Sequence, residues 1–150
     1  MSLKERLVED MKAAQKAKEE GKVRLSVIRM VRAAIKNTEI EKKTELDDAQ
    51  IIEVIAREVK MRRDAIAEFS KAKRPDKVQE AEEEIAILME YLPQQLTEGE
   101  IRQLAKEIIA ETGAQGPKDL GKVMAAITPK TKGRADGKVV NQIVRELLGS

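Results

Sequence analysis

Residues 75–101 read PDKVQEAEEEIAILMEYLPQQLTEGEI, and the order of signals in this stretch decides the fold. Pro75 suits the first turn of a helix and disfavours helix at Arg74 before it, so one helix ends and another begins there. Val78, Ala81, Ile85, Leu88 and Leu92 recur at spacings of 3, 4, 3 and 4, one apolar stripe on a helix, while Glu80, Glu82, Glu83 and Glu84 fall mostly on other faces. Pro93 limits that helix. Thr97 and Glu100 then match a capping box, in which the hydroxyl accepts from the third amide and the glutamate reaches back, so a new helix is expected from Glu98 to Thr112. A helix stop, a proline and a helix start within a few residues place a domain boundary at Leu92 to Leu96, giving domains 1–92 and 93–150.

Working outward, the same periodicity covers both flanks. Before the boundary, a first helix follows Ser2 as N-cap, carries Leu3, Leu7, Met11 and Ala14, and stops near Gly21. A second runs from about Lys22 to Lys43 with Leu25, Ile28, Val31 and Ile35. Leu46, Asp47 and Asp48 read as a turn and cap opening a third through Ile51, Ile55, Val59, Ile66 and Phe69. After the boundary, Gly113 closes the fifth helix, and Pro117 opens a short sixth with Leu120, Val123, Met124 and Ile127. The stretch TPKTKGRAD, residues 128–136, reads as a basic connector with Gly133 at a turn. Asp136 caps a last helix using Val140, Ile143, Val144 and Leu147.

The expected fold is therefore all-α and multihelical: an N-terminal four-helix bundle followed by a C-terminal three-helix bundle. Composition agrees, since 41% of residues are hydrophobic and 37% charged, with 4 prolines and only Phe69 and Tyr91 as aromatics. Such a core rests on Leu, Ile, Val, Met and Ala, which suit helix-on-helix packing.

Several function classes lose their reagents at this point. Cysteine and histidine are absent, which removes disulfides, thiolate metal sites and the usual general base near neutral pH. The serines, Ser2, Ser26, Ser70 and Ser150, lie in no glycine-flanked elbow, and Ser70 beside Lys71 reads as a helix terminus. Gly116 to Val123, GPKDLGKV, nearly spells a phosphate loop, but Val123 lacks the hydroxyl that would hold magnesium and Pro117 removes a backbone donor. Consecutive glutamates on a helix diverge, so Glu82 to Glu84 make no metal site. No catalytic residue, metal or cofactor is assigned. Lacking an apolar run of membrane-spanning length or a signal-type leader, the chain is expected to be cytoplasmic and away from membranes.

Charge supplies the positive signal. The net charge is only +2, yet residues 1–74 balance at +5, residues 75–112 at −7 and residues 113–145 at +5. Lys130, Lys132, Arg134 and Lys138 cluster around the last turn, and the amide-rich start of the last helix near Gly137 adds to the attraction for phosphate. Arg29, Arg32 and Lys36 form a second basic stripe beside the apolar face of the second helix. Lysine and arginine in such patches bind polyanions without reading sequence.

Three long segments, residues 25–43 (LSVIRMVRAAIKNTEIEKK), 62–101 (RRDAIAEFSKAKRPDKVQEAEEEIAILMEYLPQQLTEGEI) and 116–148 (GPKDLGKVMAAITPKTKGRADGKVVNQIVRELL), together resemble the YqeY family of small bacterial proteins. The C-terminal part is also similar to the tail domain of the B subunit of the glutamine-dependent amidotransferase that corrects misacylated Glu-tRNA or Asp-tRNA. The resemblance implies a tRNA-binding or tRNA-associated module. Carried across, the contacts are Lys122, Lys130, Lys132, Arg134 and Lys138, with Gly121, Gly133 and Gly137 permitting close backbone approach. It equally implies partners such as amidotransferase subunits or an aminoacyl-tRNA synthetase, in an assembly acting as a carbon–nitrogen ligase with glutamine as amide donor. The present chain matches only the tail, not the subunit's catalytic cradle, so the expectation is a binding module. A scaffold for other proteins, built on the acidic fourth helix, is the remaining alternative.

Overall fold

The computed structural model describes residues 1–149; Ser150, one of the four serines considered above, lies outside the described residues. Among the described residues the chain is helical with no strand: α1 (Leu3–Lys16), α2 (Lys22–Lys42), α3 (Asp48–Lys71), α4 (Pro75–Met89), α5 (Glu98–Thr112), α6 (Leu120–Thr131) and α7 (Gly137–Leu148). Short 3₁₀ turns at Lys18–Gly21 and Pro117–Asp119 lead into α2 and α6. The chain divides into two compact units, Met1–Leu92 and Pro93–Ser150.

In the first unit, local chemistry sets the helix ends. The Ser2 hydroxyl accepts from the Glu5 amide at 3.2 Å, and Asp47 and Gln50 satisfy each other's backbone amides at 2.9 and 3.0 Å, a full capping box opening α3. Lys18, Lys43 and Lys73 end helical segments with φ of 54°, 55° and 58°, the left-handed conformation that usually calls for glycine. The glycine with a packing reason is Gly21. A Cβ there would sit 2.1 Å from the Ala14 carbonyl oxygen, so α2 starts against the end of α1 only because nothing projects from that position.

The core of this unit is aliphatic. Leu7 of α1 meets Val27, Ile28, Val31 and Ile35 of α2, with Ile51, Val54, Ile55 and Val59 of α3 and Leu88 of α4 completing it. Burying each such side chain is worth about 1.5–3 kcal/mol. Two positions differ from expectation. Leu46, read as part of a turn, is buried and belongs to the core. Tyr91 is also buried, although the stripe read from the sequence passes through Leu88 and Leu92; α4 ends at Met89, so Tyr91 and Leu92 both lie beyond its last turn.

One charged residue belongs to the core as well. Arg62 is only 8% exposed; its Nε donates to Glu84 at 2.7 Å and its Nη1 to the Glu58 side chain and carbonyl, both at 3.0 Å. Glu84 is thus a partner across α3 and α4, whereas Glu82 and Glu83 lie exposed.

The second unit packs Ile101, Ala105 and Ile108 of α5 on Val123 and Ile127 of α6 and on Val140, Ile143, Val144 and Leu148 of α7. Thr97 and Glu100 form their reciprocal box at 3.1 and 3.0 Å, and Gly113 and Gly149 close α5 and α7 with positive φ. The connector expected at residues 128–136 is shorter than its sequence suggests. Helix α6 runs through Pro129 to Thr131. Proline forfeits one ladder bond there, but Thr131 is 5% exposed and its hydroxyl donates to the Ile127 carbonyl at 3.2 Å, so burial holds the last turn in place.

Candidate nucleic-acid interface

The residues assigned to polyanion binding fall in two places, one per unit, and each is considered by itself. In the second unit the chain between α6 and α7 turns tightly on Thr131, whose carbonyl accepts from the amides of Arg134 at 2.8 Å and Ala135 at 3.0 Å. Gly133 has φ of 74°. The segment 93–96 then grips this turn through the main chain: the Leu96 amide donates to the Arg134 carbonyl at 2.8 Å, and Gln95 Nε2 donates to the carbonyls of Gly133 and Pro93, both at 2.8 Å.

This framework sorts the eight expected contacts. Lys122, Lys130, Lys132 and Lys138 have exposed side chains, Lys130 and Lys132 on either side of the buried Thr131. Arg134 is half-buried and its Nε donates to the Gln94 carbonyl at 3.2 Å, so this side chain also ties the turn to the segment before α5. Gly133 is buried, which makes its role conformational and removes it as a point of backbone approach to a ligand. Gly121 and Gly137 are exposed, with open space where a Cβ would stand, so neither admits a close neighbour.

The amide-rich start of α7 is weaker than its sequence suggests. Asp136 Oδ1 accepts from the Lys138 amide at 2.9 Å and sets a carboxylate where an anion was expected. The near-phosphate-loop at residues 116–123 is similarly self-satisfied: Asp119 accepts from the Gln115 amide at 2.9 Å, and Val123 is fully buried in the core. Ser70 and Lys71 are both exposed, and Lys71 pairs with Glu68 at 3.8 Å rather than with the hydroxyl.

In the first unit the second basic stripe becomes part of a groove of 440 Å³ between α1 and α2. Arg29, Arg32 and Lys36 line it from α2, and Lys4 faces them from α1. Its floor is apolar, with Val8 and Ala33 accessible above the buried Leu7 and Ile35. Lys4 pairs with Glu39 at 2.5 Å. That hydrogen bond, with a second from the Leu46 amide, holds the Glu39 carboxyl below the usual carboxylate range, and Lys36 adds to the effect through space. Sequence reading found the α2 stripe by its spacing; the contribution of α1 needed the pairing of the two helices.

The family model described as Yqey-like protein matches residues 4–148. Among curated relatives, a protein of Pyrenophora tritici-repentis is 31% identical over 148 residues, covering 97% of this chain and 80% of that protein. Proteins of Kluyveromyces lactis, 42% identical over 86 residues, and Lachancea thermotolerans, 32% identical over 114 residues, match 57% and 74% of the chain and 45% and 60% of their own lengths. All three bear the name "Altered inheritance of mitochondria protein 41, mitochondrial". These names overturn the expectation of a cytoplasmic location, because a reading of apolar runs does not separate cytoplasmic from mitochondrial proteins. Among the described residues no helix is long and apolar enough to cross a membrane.

Proposed function

The chain belongs to the YqeY family, and from that premise we propose that it is a helical tRNA-binding module that docks through the end of its second unit and leaves group transfer to partner subunits. The observation that supports this reading is the placement of Lys130, Lys132 and Lys138 within nine residues of chain, all exposed, around a turn whose main chain is fixed by Gln95, Leu96 and Thr131. A preordered cationic turn meets phosphates without first losing backbone entropy. Lys122, also exposed, lies on α6 eight residues before Lys130. The resemblance of the stretch from Leu120 through Lys138 into Val144 to the amidotransferase tail supplies the choice of tRNA among polyanions. Aromatic side chains for stacking single-stranded bases are missing here, which favours a folded, phosphate-lined RNA surface.

The test is a titration with labelled tRNA across salt concentrations. Wild-type affinity should fall steeply with salt, and changing Lys130, Lys132 and Lys138 to Gln should flatten the log–log slope by roughly 0.9 for each phosphate no longer neutralised. An affinity unchanged in that variant, or no binding at low salt, refutes the reading.

A further inference from the structure

The groove between α1 and α2 has a property that the α6–α7 turn lacks: its cations repeat along its length above an apolar floor. Arg29, Arg32 and Lys36 stand at spacings of three and four residues, one per helical turn, so positive charge recurs roughly every 5 Å along α2. The groove's own carboxylate, Glu39, is taken by Lys4. Among the described residues no carboxylate forms an ion pair with Arg29, Arg32 or Lys36, and Arg32 is steadied instead by the Met11 sulfur at 3.2 Å. Beneath them the accessible apolar surface is that of Val8, half-buried, and Ala33, exposed, laid over the buried Leu7 and Ile35.

We propose that this groove is a docking site for an acidic amphipathic helix of a partner protein. Such a helix brings Asp or Glu on successive turns to Arg29, Arg32 and Lys36, and an apolar stripe beside those acids to the floor. The match is one of period as well as sign, because both partners repeat by the helical turn. A ligand with a single anionic head satisfies one cation and leaves the others. An RNA strand meets the charges but offers nothing to the apolar floor, and neither Phe69 nor Tyr91 lines the groove to stack a base. The groove belongs to the first unit and does not depend on the proposed tRNA surface.

The experiment uses the full chain and a synthetic helical peptide of about 18 residues with Glu at i, i+3 and i+7 and Leu on the adjoining stripe. Fluorescence anisotropy at low salt should show saturable binding. Affinity should fall at least about tenfold in the triple variant Arg29→Glu, Arg32→Glu, Lys36→Glu, and a peptide with Lys in place of Glu should bind that variant better than wild type. Circular dichroism melts check that the variant folds; if it does not, Arg29→Gln with Arg32→Gln replaces it, with a severalfold loss expected. Equal binding to wild type and variant, or none to wild type, overturns the proposal. So does displacement of the peptide by decanoate or by an RNA oligonucleotide at comparable concentration, which would give the groove to a fatty acid or to nucleic acid.

Discussion

The phenol of Tyr91 donates a hydrogen bond to the carboxylate of Asp10, joining residues 81 positions apart in sequence. Around this bond, Arg6 stacks over the Tyr91 ring at 4.5 Å from its centre and donates to the Glu90 carbonyl at 3.1 Å. Arg24 holds the Glu90 carboxylate with two bonds of 3.0 and 2.8 Å. The chain leaving α4 is therefore clasped by α1 and by the start of α2. Tyr91→Phe keeps the ring and removes the bond to a charged acceptor, so it should cost about 2 kcal/mol in urea unfolding of the full chain. An unchanged midpoint would show that the hydroxyl contributes nothing.

The same phenol gives a pH dependence. Burial and the Asp10 bond raise the Tyr91 pKa well above its ordinary value of 10.0. In the unfolded chain the phenol loses its proton above pH 10 while the folded chain retains it, so the unfolded state binds fewer protons and stability falls as pH rises past 10. Lys4, held protonated by Glu39, adds a decline of the same sign. Thermal melts should show a steeper loss of melting temperature above pH 10 in wild type than in Tyr91→Phe, with the Lys4 contribution remaining in both.

Arg62 is a buried cation answered by two carboxylates, and removing it strands both. Arg62→Ala should destabilise the protein by about 3 kcal/mol, whereas Glu84→Gln, which changes the more exposed of the two carboxylates and leaves Glu58 on Arg62, should cost less. Chemical denaturation of the two variants gives the order directly; an equal or reversed order would contradict the geometry.

Two glycines should respond with opposite sign. Gly21→Ala drives a Cβ into the Ala14 carbonyl and should cost about 2 kcal/mol or more. Gly121→Ala finds open space in a helix and should stabilise by about 0.5 kcal/mol through helix propensity. Differential scanning calorimetry of the two variants measures both.

What was legible in the sequence was local. The Thr97–Glu100 box, the left-handed Gly113 and the Asp136 cap each depend on a few neighbouring residues, and the structure forms all three. What was missed depends on distant burial. Pro129 reads as a stop because its rule concerns the ladder, whereas the burial of Thr131 carries α6 past it. Arg62 occupies the slot between Val59 and Ile66 in the apolar stripe of α3, and that gap in the pattern was the available signal. The cations of the second unit were found by clustering, but which of them support the turn, as Arg134 does, follows from the position of Gln94 some 40 residues away.

The turn between α6 and α7 takes its outline from carbonyls, amides and the Gln95 side chain, and its charge from lysine side chains. Shape and charge are thereby largely separated at this spot, with Arg134, bonded to the Gln94 carbonyl, serving both. Evolution, or a protein engineer, has room to add, delete or shift lysines along residues 130–138 and so retune attraction for an anion, while Gln95, Arg134 and the left-handed Gly133 keep the outline constant.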